Sequence, residues 1–339
     1  MSTFIEWPVD LSIVISTRNR ATFLPSALQS LTKLKSKFQF EILIVDNAST
    51  DNTADVISRA DTCGGRLRQL FVGDVGLGAA RDAGWRACRG QIVAFTDDDC
   101  YPDPTYVDAM VEAFRSRPEA GCIGGRILLH DPADLRVTID EGERPRELMP
   151  CQFVPAGNLH GANLAFRRSA LEAVGGFDRQ IGAGTPFPFE DVDAVAAVIW
   201  AGMPAWFDPA PVVRHHHRRR GDAALHQLFV GYDRGRGAYY AKYILRRSSR
   251  LEYLRAWWSI TRGYSEGWGL VRVGREIKAF FTYLHHRKAY FFMVAAAPVV
   301  ALCYAATAGR IAMYDLLRRL AKRSTARKAK KKNGVLRPQ

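Results

Sequence analysis

The six cysteines, Cys63, Cys88, Cys100, Cys122, Cys151 and Cys303, include no C-x-x-C pair and follow no regular spacing. That excludes a zinc ribbon and a disulfide framework, and a reducing cytoplasm is the expected setting. Residues 1–10 carry Glu6 and Asp10 and lack a basic stretch ahead of an apolar one, so no secretory signal is expected. There is no internal repeat, which excludes a solenoid. The G-x-G at Gly76 and Gly78 lacks the third glycine of a dinucleotide fingerprint. The first 200 residues hold no patch of interleaved basic and aromatic side chains, and nucleic acid is not an expected partner.

What is present is a globular composition. The 339 residues are 47% hydrophobic and 24% charged, enough for a sizeable core. The net charge is +14 and unevenly spread: Asp is frequent in the first third, whereas Arg318, Arg319, Lys322, Arg323, Arg327, Lys328, Lys330, Lys331 and Lys332 make the end basic. Residues 289–309 are uncharged and long enough to cross a bilayer, though Pro298, Tyr304, Thr307 and many alanines weaken the run. Beside it the basic end suits an anionic membrane surface; a solvated, disordered tail is the plainer reading.

Hydrophobic periodicity predicts alternating strands and helices. Strands are expected at 9–15, 41–46, 67–72 and 91–96, and helices at 23–31, 53–59 and 76–88, with Thr22 as a candidate cap for the first. Further strands are expected at 121–129, 161–166 and 211–217, a long loop at 131–150, and helices at 168–174 and 190–200. From about residue 225 the pattern is helical. Such alternation predicts an α/β layer with a mostly parallel sheet, and in open sheets of this type ligands bind beyond the carboxyl ends of the strands. Three polar clusters fall there: Thr17, Arg18 and Asn19; Asp46 through Ser49; and Asp97, Asp98 and Asp99.

Three adjacent carboxylates after an apolar strand repel one another unless a cation sits among them. A Mg²⁺ or Mn²⁺ ion that shares phosphate oxygens meets that need; an acidic cap is the bland alternative. Arg81 is a candidate cation for a diphosphate, with the backbone N–H groups near Gly76 and Gly78 as further donors. Glu190 and Asp191 begin a helix, where the dipole favours carboxylates; one of them is also a candidate general base. Of His215, His216 and His217, only one is expected to enter a site if the segment is a strand.

Taken in order, Ser16-Thr17-Arg18-Asn19, Val45-Asp46-Asn47-Ala48-Ser49, Gly76 through Arg81, Asp97-Asp98-Asp99, Gly161-Ala162-Asn163, Gly175-Gly176-Phe177-Asp178 and Glu190-Asp191 resemble the family 2 glycosyltransferases, inverting enzymes of the GT-A fold. The resemblance covers about residues 9–217. It implies a GT-A domain at 1–220; the residue pattern beyond it gives a helical extension at 221–288 and an apolar helix with a basic tail at 289–339 as possible membrane attachment. It also implies roles. Thr17, Arg18, Asn19, Asp46, Asn47, Arg81, Asp97 and Asp98 are implied in binding the nucleotide sugar, with Asp46 at the base and Asp97 near ribose and diphosphate. Asp99 and His215 are implied as metal ligands, and His216 remains open. Asp191 is the implied catalytic base, with Glu190 and Asn163 as supporting or acceptor residues. The implied cofactor is Mg²⁺ or Mn²⁺. The implied donor is a UDP- or GDP-sugar, while a glycan or lipid-linked acceptor at the inner face of the cell membrane is expected from the apolar run and basic tail alone. One departure stands out: Asp82 follows Arg81 where the family often has Asn, which adds negative charge near a diphosphate. The competing readings are a sugar nucleotidyltransferase, disfavoured because Thr17 through Arg20 contains no glycine, and a non-catalytic nucleotide-sugar-binding module, disfavoured by the intact Asp97, Asp99 and Asp191.

Overall fold

A computed structural model describes the backbone of residues 9–263 and 267–333, with side chains through Met313 apart from residues 267–268. Residues 1–8, and the side chains of the basic tail from Arg318 on, lie outside the described residues. The chain divides into two compact units, Met1–Gly235 and Arg236–Gln339.

The first unit opens with β1 (Val9–Thr17), α1 (Leu24–Leu31), β2 (Phe40–Asp46), α2 (Thr53–Ser58), β3 (Leu67–Phe71), α3 (Leu77–Ala87) and β4 (Gly90–Asp97). These four strands pair with one another in parallel. Then follow β5 (Cys100–Pro102), α4 (Tyr106–Arg115), β6 (Cys122–Leu129), β7 (Arg146–Leu148), β8 (Asn163–Arg167), α5 (Arg168–Val174), α6 (Glu190–Trp200) and β9 (Ala205–His215). The sheet runs β3-β2-β1-β4-β8-β6-β9-β5, with β7 on β9. It is mixed beyond β4, because β8 lies antiparallel to both β4 and β6.

Burial follows from the pattern. Leu11, Ile13 and Ile15 on β1, with Ile42 and Ile44 on β2, form one core face beneath Leu24, Leu28 and Leu31 of α1 and Met110 and Phe114 of α4. Each such side chain contributes about 1.5–3 kcal/mol on burial. Val14, Val45 and Phe95 point to the other face and are equally buried, so the central strands read as unbroken apolar runs. There α3 lies close to the sheet: a Cβ at Gly84 would stand 2.7 Å from Val14 Cγ1, and the glycine permits that approach.

Three local expectations change. Thr22 does not cap α1, which starts after Phe23 without a side-chain cap and with proline in its first turn. The segment 131–150 is not wholly loop, because β7 within it pairs with β9. And β9 begins at Ala205, ahead of the expected 211, pairing with β6 through a register shift after Gly125.

The chain continues as α7 (Gly221–Leu245), which runs from the first unit into the second, then α8 (Arg250–Gly263), α9 (Gly267–His286) and α10 (Tyr290–Asn333). Within the second unit the stacked rings of Tyr240, Trp257 and Phe280 form an aromatic core. The buried Glu276 is held by Arg236 at 2.6 Å and Trp257 Nε1 at 2.8 Å.

Candidate active site

In-register parallel pairing carries the polar clusters to one edge. Thr17 stands opposite Asp46, and Ser16 opposite Asp97, at the carboxyl ends of β1, β2 and β4. Cys100 on β5 pairs with His215 at the end of β9, which puts that histidine beside the acidic triplet.

The three aspartates have separate environments. Asp98 is clamped inward: it accepts a hydrogen bond from Thr17 Oγ1 at 2.6 Å and from Arg20 Nε at 3.0 Å. Burial pushes its carboxyl up to about 6, against the pull of Arg20 and Thr17. Asp99 sits between Arg20 Nη2 at 2.7 Å and His215 Nε2 at 3.2 Å. Burial acts to raise its pKa, but the His215 hydrogen bond and charge, with Arg20, hold it at about 2. In return Asp99 overcomes the burial of His215 and raises that imidazole above its usual value. Asp97 is the most open of the three and accepts from Arg81 Nη2 at 3.0 Å.

Ligand atoms of Asp97, Asp99, Cys100 and His215 lie within 4.8 Å of one another. The Cys100 thiol is fully buried and held well above its normal pKa, so it stays protonated and leaves the two carboxylates and the imidazole as donors. This oxygen and nitrogen set fits a hard divalent ion. A second group, Asp131, Asp134 and His216, stands apart from it. His216 lies 3.7 and 3.8 Å from those carboxylates, and His217 is tied to the Leu135 carbonyl at 2.8 Å. Of the three histidines it is His215 that meets the triplet.

Arg81 links the triplet to the start of α6. It is 3% exposed and lies 3.0 Å from Asp97 and 3.2 Å from Glu190. Burial raises Glu190 to about 7 even though Arg81 opposes it. Gly161 makes room for the guanidinium: a Cβ there would stand 2.5 Å from Arg81 Nη1. The same glycine accepts from Arg81 through its carbonyl and donates its N–H to Asp191 Oδ2 at 2.8 Å. The other Asp191 oxygen accepts from the Val192 N–H at 2.8 Å. The carboxylate is thus held by backbone at the first turn of α6, where the dipole favours its charge.

Beside these groups runs a cleft lined by Ser16, Thr17, Arg18, Asn47, Leu77, Ala183 and Gly184. Asp46 is buried next to it and accepts the Ser49 N–H at 3.0 Å. Asn47 is fully engaged, donating to the Val72 and Asp74 carbonyls and accepting the Gly76 N–H at 2.8 Å. Asn19, at φ 53°, accepts from the Thr50 N–H at 2.7 Å and joins the two loops that frame the cleft. Both asparagines therefore shape the cleft, which Arg18 lines directly.

Some expectations resolve differently. The Gly76 N–H bonds to the Asn47 side-chain oxygen and the Leu77 N–H to the Ala183 carbonyl, so both brace the loop. Asn163 is buried beneath the site, donating to the carbonyls of Arg126 and Pro211 and accepting from Tyr106 Oη. Asp82 turns away from Arg81: it accepts from Trp85 Nε1 at 2.9 Å, from Arg86 and from the Phe177 N–H, and ties α3 to the Gly175-Gly176 turn. Sequence reading missed Arg20, whose position in a polar loop gave no sign of its carboxylate partners. It also missed His160, which burial holds below its usual pKa against the attraction of Asp191.

Residues 12–175 match the family model described as Glycosyl transferase family 2. That stretch, about half of the chain, is a glycosyltransferase family 2 segment. Among curated relatives, an uncharacterized glycosyltransferase of Nostoc sp. is 31% identical over 48% of this chain and 52% of its own length. The pre-mycofactocin glycosyltransferase of Mycobacterium tuberculosis is 28% identical over 62% of this chain and 43% of its own. The chain spans about half the length of these relatives. The architecture is the GT-A fold. A mannosyltransferase from Pyrobaculum calidifontis, solved with GDP-Man and Mn²⁺, superposes with TM-score 0.55 at 17% identity, covering 92% of this chain and 87% of that one. S. aureus TarS 1-349 with UDP-GlcNAc gives 0.58 at 14%, covering 92% of both.

Proposed function

We propose that this family 2 domain transfers a sugar from a nucleoside-diphosphate donor to an acceptor hydroxyl with inversion at the anomeric carbon. The observation that carries the reading is the division of labour at the sheet edge. Asp97, Asp99 and His215 converge on one side, while Asp191, held by two backbone N–H groups, stands on the other side of Arg81.

In this reading the cleft between Thr17, Arg18, Asn47 and Gly184 takes the nucleotide, with Asp46 toward the base. Asp99 and His215 hold Mn²⁺ or Mg²⁺, and Asp97 faces the diphosphate. Bound there, the ion offsets negative charge on the departing diphosphate. Asp191 accepts the proton of the acceptor hydroxyl as its oxygen bonds to the anomeric carbon and the bond from that carbon to the β-phosphate oxygen breaks. Arg81 keeps the two sites in register and neutralises Glu190 and Asp97. The relatives solved with GDP-Man and Mn²⁺ and with UDP-GlcNAc support the donor class.

The C-terminal unit supports attachment to an anionic membrane at the cytoplasmic face. Residues 236–339 hold 23 Lys and Arg against 4 Asp and Glu, whereas residues 1–235 hold 25 against 30. Within α10, Tyr290–Met313 is long and apolar enough to cross a bilayer and is mostly unburied. The domain reading is then a transferase domain over 1–220, a helical extension over 221–288 and the attachment segment from 289. A glycan or a lipid-linked sugar is the acceptor.

Thermal shift across UDP- and GDP-sugars, with and without Mn²⁺, tests the donor reading. Stabilisation by at least one donor that disappears with EDTA is the expected result, since a ligand that binds only the folded state raises its stability. No shift with any donor would remove its basis.

A further inference from the structure

The α7 helix brings a pair of aromatic rings toward the α6 carboxylates. A Cβ at Gly235 would stand 1.7 Å from the Pro188 carbonyl oxygen, and one at Gly231 3.6 Å from Pro188 Cγ. These glycines, four residues apart, let the helix lie against the segment that leads through Phe189 into Glu190 and Asp191. Tyr232 follows Gly231 directly. Its hydroxyl is pushed up to about 12, first by burial and then by the charge of Asp191, with Glu190 and Asp97 adding to it. Phe229, three residues earlier on the same face, forms an edge-to-face pair with Tyr232 at 6.3 Å and 71°, yet stays 41% exposed. Phe229 therefore keeps part of an apolar ring surface in water next to Tyr232, the ring that senses the α6 carboxylates.

We propose that Phe229 and Tyr232 form an acceptor platform, on which one face of a pyranose ring lies with its attacking hydroxyl toward Asp191. The inference rests on the transferase reading and narrows its acceptor to a glycan. One face of a pyranose presents several C–H bonds, which suit the electron-rich face of an aromatic ring. Its hydroxyls point outward to polar partners, among which Asp191 is the base of the transferase reading. The near-perpendicular rings offer a corner that touches a sugar face and its edge together. A peptide or a simple lipid hydroxyl has no comparable flat C–H surface.

Saturation-transfer NMR on the full chain with diamagnetic Mg²⁺ and UDP or GDP provides the test. The probes are methyl β-D-glucopyranoside, methyl β-D-N-acetylglucosaminide and N-acetylserinamide. Saturation is expected on the ring C–H protons of a pyranoside and not on N-acetylserinamide. Phe229→Ala should weaken pyranoside binding about two- to tenfold, the range for a lost aromatic contact. Phe229→Trp should restore it, and nucleotide affinity should be equal in all three proteins. Unchanged pyranoside affinity in Phe229→Ala, or preferential saturation of N-acetylserinamide, would overturn the platform while leaving the donor reading intact. Failure of both UDP and GDP to bind would remove the donor reading and the platform with it.

Discussion

Replacing Arg81 by methionine tests whether the site is organised around one buried cation. The side chain is 3% exposed and serves Asp97 at 3.0 Å and Glu190 at 3.2 Å. Methionine keeps much of the volume and removes the charge, so two carboxylates lose their shared partner. Breaking a buried pair in this way costs about 3–5 kcal/mol. For a unit of 235 residues that corresponds to a fall of roughly 6–20 °C in melting temperature. The loss should depend on pH. Glu190 has a folded pKa of about 7, above its ordinary 4.5, so its contribution to stability is complete below about 4.5 and lost as pH rises through 7. Without Arg81, the strongest influence lowering that pKa disappears, and the loss extends to higher pH. The gap between Arg81→Met and the parent should therefore be smaller near pH 4.5 than above pH 8. Urea denaturation in EDTA at both pH values measures it, and the double variant Arg81→Met/Glu190→Gln should recover part of the loss at high pH. A deficit below about 1 kcal/mol at pH 8, or one independent of pH, would refute the assignment of Arg81 as the organising cation.

Asp191→Asn should lower transfer by about 10²–10⁴ while nucleotide affinity measured by calorimetry stays the same; full turnover would dismiss it as the base. His215→Gln should weaken Mn²⁺ binding at least about tenfold, whereas His216→Gln should not. Because Asp99 raises the His215 pKa and a ligand must be neutral, Mn²⁺ affinity in the parent should climb as pH rises past that value. Gly161→Ala forces a Cβ against Arg81 and should depress turnover more than melting temperature, as paired kinetic and thermal measurements would reveal. Truncation before Ala289 should abolish sedimentation with phosphatidylglycerol vesicles; continued sedimentation would place the attachment elsewhere.

Much of the site was legible because its residues sit at strand ends. Asp46 and Asp97 close apolar runs, and parallel pairing in register must bring such positions to one edge. The histidine segment was legible only as a set of three candidates. Pairing of Cys100 with His215 is a tertiary fact, and it selects one of them. Asp82 illustrates the reverse. In sequence it is a charge next to Arg81, but one position along a helix turns a side chain by about 100°, and its neighbours there are Trp85, Arg86 and Phe177. The short strands β5 and β7 were missed because three residues show no measurable period, and only their pairing with β9 defines them.

For the acidic triplet the sequence by itself determined that three carboxylates follow a buried strand and need positive charge nearby. It also determined the alternating pattern that makes the sheet and the order of motifs that marks the family. Only the tertiary structure decided which cation serves which carboxylate: Arg20 for Asp98 and Asp99, His215 for Asp99, and Arg81 for Asp97. Those partners come from a loop, a strand and a helix, up to 116 residues away. Local propensity has no term for contacts at that separation, whereas the energy of a buried charge depends almost entirely on them.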